Sequence, residues 1–143
     1  MLQAIAARVK GSRAGEIVAS NRDWHEGQLE EQRLPLRRDL DSVAPANPVV
    51  LVRGGHEYIL NSAALARWKI DEKTPQPDGG RISRYEDGSL NGELVDRAKS
   101  LVPLNDLAPH IMAVGATYEQ QLAAKVAEFQ TLHAAGLTSV RLA

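Results

Sequence analysis

The sequence predicts an α+β fold, a small antiparallel or mixed sheet with helices packed on one face, and three observations carry that prediction. Pro48-Val49-Val50-Leu51-Val52-Arg53 is a nearly continuous apolar, β-branched run of the kind that fills a buried strand. Gly54-Gly55 supplies a tight turn into Glu57-Tyr58-Ile59-Leu60, which completes a hairpin. Leu122, Val126, Phe129 and Leu132 repeat at helical spacing, which predicts a long amphipathic helix over 118–135.

The remaining elements follow from local signals. Leu2, Ile5, Ala6 and Val9 predict an opening helix that Gly11 and Gly15 end before a short strand at 16–19. No capping residue precedes that helix, which suggests a chain cut from a longer one. The segment 21–48 is polar and holds Pro35, Pro45 and Pro48, so it reads as a long connection with a helical turn at 37–43. Asn61-Ser62 caps a helix over 63–68, and Thr74 to Gly80 is a loop by composition. Arg81 to Tyr85 and Ser89 to Asn91 flank Glu86-Asp87-Gly88 as a second hairpin. Gly92 to Leu101 reads as an amphipathic helix stopped by Pro103. After the last helix, Gly136 is the C-cap and 137–142 a strand. The sheet is expected from 16–19, 48–53, 57–60 and 81–85.

Composition narrows the function classes. At 143 residues with 43% hydrophobic content, the chain is as long as one ordinary domain and can bury a core, made mainly of Leu, Val, Ile and Ala because only six residues are aromatic. Seventeen basic and eighteen acidic residues, with no long block of one sign, give no electrostatic case for nucleic acid or membrane. No stretch approaches the roughly 20 apolar residues of a membrane span. The absence of cysteine excludes disulfides and thiolate metal sites and fits a reducing cytoplasm.

The four histidines, at 25, 56, 110 and 133, show no His-x-His or His-x-x-x-His spacing, so no metal site is written in the local sequence. Gly11 to Gly15 only mimics a phosphate loop, since a helix precedes it where a strand is required. His56, at a hairpin tip beside glycines, reads equally as an exposed turn residue or as a side chain reaching into a neighbouring cavity. Asn61 is explained by capping, and Glu93 by the dipole of the helix expected there.

The order of motifs adds a resemblance. Leu34-Pro35-Leu36-Arg37-Arg38-Asp39-Leu40-Asp41, then Ala44 to Leu51, then His56 with Asn61-Ser62-Ala63-Ala64-Leu65, resembles the YtcJ-like branch of amidohydrolase family 3. Asp71 to Ile82, Asp87-Gly88, Asn91 to Ala98 and Ala135 to Val140 continue the series in the same order, so the resemblance covers roughly 24–140. It implies a metal-dependent hydrolase of amide-type C–N bonds on a (β/α)8 barrel, with a divalent metal, zinc as the expected ion. It also implies that this chain is the α+β domain inserted between the first and second barrel strands (1–116), followed by a barrel helix and strand (117–143). The implied metal ligands lie outside the chain, so no catalytic or metal residue and no cofactor is assigned within it. His56, Asn61 and Glu93 are the implied substrate-pocket candidates, His56 or Asn61 by hydrogen bonding a substrate carbonyl and Glu93 by facing the region near the metal. The implied partners are the rest of the barrel and a small amide substrate. Without that barrel, the apolar face of 118–142 is expected to drive self-association. The rival reading is a stand-alone, non-catalytic binding or interaction module.

Overall fold

The computed structural model describes residues 1–111 and 117–139. The chain divides into two compact units, Met1–Met112 and Ala113–Ala143.

The first unit is built on five strands, β1 (Val18–Ala19), β2 (Val49–Arg53), β3 (Glu57–Leu60), β4 (Gly80–Arg84) and β5 (Leu90–Asp96). Their order is β1-β2-β3-β5-β4. β1 runs parallel to β2 and the other three pairings are antiparallel, so the sheet is mixed. Four helices accompany it: α1 (Leu2–Lys10), α2 (Arg37–Val43), α3 (Ser62–Arg67) and α4 (Leu104–Ile111).

Helices lie on both faces of the sheet, which corrects the expectation of one. Val49, Leu51 and Ile59 point to one face, where Ile5 of α1 and Leu40 of α2 cover them. Val50, Val52, Leu60 and Leu94 point to the other, packed with Leu65 of α3, Ala98 and Leu107 of α4. The cause is visible in β2 itself. Strand side chains alternate, so a run apolar at successive positions sends half of them to each face, and both faces then need a cover. Val49, Val50 and Leu51 are at most 1% exposed, and burying each contributes roughly 2 kcal/mol.

The segment 92–101 also differs from expectation. It is no helix: β5 runs through Glu93 to Asp96, and Arg97–Leu101 is a 3-10 turn. Leu94, Ala98 and Leu101 do pack on one core, which is why their spacing imitates a helix. Gly92 decides the matter, because its φ of +92° and its approach to the Leu60 carbonyl leave no room for a side chain, a combination that a helix does not offer. The helix dipole therefore cannot explain Glu93.

The sheet margins are closed by side chains. The Gln76 amide donates to the Ile82 carbonyl at 2.9 Å and accepts from its N–H at 2.7 Å, replacing a sixth strand beside β4. Next to the short β1, the Ser20 hydroxyl accepts from Val52 N–H at 2.9 Å and the Trp24 indole donates to Val52 O at 2.8 Å.

The second unit contains α5 (Tyr118–Ala134), opened by a capping box in which Thr117 and Gln120 exchange side-chain and backbone hydrogen bonds. At its end the Gly136 N–H donates to His133 O and the Leu137 N–H to Leu132 O, a Schellman closure around a glycine at φ +85°. Tyr118, Leu122, Val126 and Phe129 of α5 are exposed. Of the strand expected at 137–142, residues 137–139 have no regular structure and the rest lie outside the described residues. No helix among the described residues is long and apolar enough to cross a membrane.

Candidate functional site

The chemistry-bearing side chains gather where the β2–β3 hairpin turns. Gly54, at φ +56°, makes the turn, and Arg53 pairs across it with Glu57. The margin contacts of Ser20 and Trp24 hold the preceding chain beside β2, which delivers His25 and a 3-10 turn at Glu26–Gln28 to the same place.

A ladder of charges results, on the sheet face that α1 and α2 cover only in part. The Arg53 guanidinium donates to both Glu26 oxygens, at 2.6 and 2.7 Å, and reaches Glu57 Oε2 at 3.3 Å. Across the sheet, Glu93 Oε1 lies 3.5 Å from the Arg81 guanidinium. Arg53 holds the Glu26 carboxyl down at about 2. Glu57 behaves oppositely: burial first, and then the neighbouring Glu93 carboxyl, push it up to about 7 against the pull of Arg53. The Glu57 side chain is 8% exposed and its Oε1 has no hydrogen-bond partner among the described residues. Glu93, 14% exposed at the side chain, lines an open cleft of about 450 Å³ together with Gln76, Ser83 and Asn91.

His56 stands at the hairpin tip, its Nδ1 3.0 Å from Asp96 Oδ1, and both side chains face solvent at 86% and 54% exposure. The Asp96 N–H also donates to the His56 carbonyl at 2.7 Å. Asp96 adopts φ 49° and ψ −117°, a strained conformation for a residue with a side chain. Lys99 ties the tip down by donating to the Gly55 carbonyl, its ammonium 5.5 Å from the Tyr58 ring centre.

Asn61 lies at the other end of β3 and is 0% exposed. Its Oδ1 accepts from the Val49 and Ala64 N–H groups, both at 2.9 Å, and its amide donates to the Ala44 and Asn47 carbonyls at 2.7 and 2.9 Å. All its polar capacity is thus spent inside the fold. The structure places His56 at the hairpin end of the sheet beside Asp96, Glu93 at mid-strand opposite Ile59, and Asn61 at the far end of β3, so the three are not brought together.

A metal does not fit these donors. Among the described residues no three His, Cys, Asp or Glu side chains are arranged to hold one. Glu26 and Glu57 converge on a guanidinium instead. Sequence reasoning missed Glu26, Arg53, Glu57 and Asp96. Arg53 and Glu57 carried a signal, since they flank the glycine turn of an expected hairpin and so must face each other. Glu26 and Asp96 had none, because their placement depends on the sheet order.

The comparisons with known proteins bear on this arrangement. The sequence profile described as the amidohydrolase family matches residues 1–142. The chain is 41% identical over 81 residues to an N-substituted formamide deformylase of Arthrobacter pascens and 40% identical over 80 residues to the YtcJ protein of Bacillus subtilis. Those matches cover 56% and 55% of this chain but 15% of each relative's own length. A third relative, LONG AFTER FAR-RED 3 of Arabidopsis thaliana, is 37% identical over 83 residues, 57% of this chain and 13% of its own. No solved structure gives a significant match. With nearly every residue inside the profile, the chain belongs to the amidohydrolase family.

Proposed function

We propose that this chain is a segment of a metal-dependent amidohydrolase acting on amide-type C–N bonds, and that it covers the substrate pocket while the remainder of a (β/α)8 barrel holds the metal, zinc being the expected ion. Residues 1–116 form the domain inserted between the first two barrel strands, and 117–143 supply a helix and strand of the barrel, which would cover the exposed apolar residues of α5. The whole enzyme works in the cytoplasm.

The observation that supports this reading is the exposed His56–Asp96 pair at the hairpin tip of a sheet whose neighbouring strands carry Glu57 and Glu93, in a member of a hydrolase family. An exposed imidazole oriented by a carboxylate can exchange a hydrogen bond with a substrate carbonyl or amide. Glu93, at the wall of an open cleft, can set the polarity near it. Asn61 serves the same pocket indirectly, by fixing the strand that carries the tip.

The test uses a full-length enzyme containing this segment and a panel of N-substituted amides, with formamides first because one relative's name specifies them. His56→Ala and Glu93→Ala should each lower kcat/KM by about tenfold or more. Wild-type kinetics in both variants would remove the proposal.

A further inference from the structure

We infer that the Glu57 and Glu93 carboxyls share one proton at neutral pH, and that this proton is a latch between β3 and β5 that opens as the pH rises. Ile59 pairs with Glu93 and Glu57 with Val95, so the two glutamates are diagonal neighbours on one face of adjacent antiparallel strands. Long side chains reach each other across that diagonal. Both are largely buried, and Glu57 Oε1 is enclosed without any donor among the described residues. A buried carboxylate oxygen with no donor near a second carboxylate is stabilised by a proton or a cation between them.

The surrounding charges favour the proton. The groups facing the pair are Arg53 on β2, Glu26 in its 3-10 turn with His25 on its outer side, and Arg81 on β4. Arg53 is already held by both oxygens of Glu26, and Arg81 pairs with Glu93 at 3.5 Å. Three carboxylates against two guanidiniums leave one negative charge uncompensated, and a single proton balances it. The upward displacement of Glu57 agrees with this geometry. Its sign is unusual for a carboxylic acid. The folded chain holds the proton to about 7, whereas the group's ordinary value is 4.5. Stability is therefore complete below the ordinary value, declines as pH climbs through the folded value, and levels off above it.

Urea unfolding of the chain between pH 5 and 9 tests the latch, compared with Glu57→Gln and Glu93→Gln. The folding constant of the wild type should fall on the order of 10- to 100-fold over that range, while Glu57→Gln should be nearly flat and Glu93→Gln, which leaves Glu57 buried but gives it an amide donor, should decline less steeply than the wild type. An infrared band of a protonated carboxyl should be present in the wild type at pH 6, disappear by pH 9, be missing from Glu57→Gln and vanish at a lower pH in Glu93→Gln. A pH-independent wild type, or an unchanged decline in the variants, overturns the inference. So does stoichiometric binding of magnesium or zinc that both substitutions abolish, since a cation would then be the shared occupant. Should one variant fail to fold, the other and the infrared band still decide.

Discussion

The two ends of β3 solve opposite problems. At Asn61 one side chain has four hydrogen-bonding partners, every one of them backbone, and nothing is left over. At the hairpin tip, carboxylates outnumber their partners, one oxygen is orphaned and Asp96 is strained. A fully satisfied polar residue in a core specifies one arrangement of the chain. Unsatisfied groups and strain persist only where the surrounding structure imposes them, and they concentrate where proteins bind and react. The contrast shows Asn61 spending its polar groups on the scaffold, and it is the reason the proposed function is put at the tip.

The sharpest way to break that contrast is Asn61→Ala. It leaves two N–H groups and two carbonyls without their partner beneath the sheet, so the loss should be about 4 kcal/mol of unfolding free energy by denaturant titration. A loss below about 1 kcal/mol would show that water or backbone rearrangement replaces the side chain, and the two ends would no longer differ in kind.

Asp96→Gly probes the other end with a smaller effect of opposite sign. Glycine adopts φ 49° without steric cost, so the substitution should raise stability by about 0.5–1 kcal/mol, with the lost contact to exposed His56 subtracting little. The same substitution in the full-length enzyme should lower turnover, because the imidazole loses the group that orients it. Destabilisation by Asp96→Gly would mean that the conformation is not strained and that the tip is scaffold as well.

Legibility in the sequence divides along the same line. Asn61 could be read as a cap because capping is a local transaction between a side chain and the N–H three residues on, and the structure has that bond. The β2–β3 hairpin and α2 were legible for the same reason, each resting on contiguous residues. What failed was non-local. β5 hid behind a helical spacing because Leu94 and Ala98 reach one core along two different backbones, and the close approach of Leu60 to Gly92, which no side chain at 92 could share, comes only with the sheet pairing. His56 and Glu93 were named from motif order. Their neighbours Glu26, Glu57 and Asp96 come from three segments that only the order β2-β3-β5 brings together. A sequence read along its length does not contain that adjacency.

The smallest expected effect makes the separation of scaffold from site testable in a single residue. His56→Ala removes an 86% exposed imidazole whose one side-chain partner is itself half exposed, and an ion pair of that kind contributes little in water. The thermal midpoint of the chain should therefore be indistinguishable from wild type. That neutrality gives the activity measurement its meaning: if the full-length enzyme loses turnover on His56→Ala while stability is untouched, the imidazole acts on substrate and not on the fold. A clear drop in the midpoint would instead place His56 with Asn61 among the residues that hold the sheet together, and the tip would lose its claim to be the functional end.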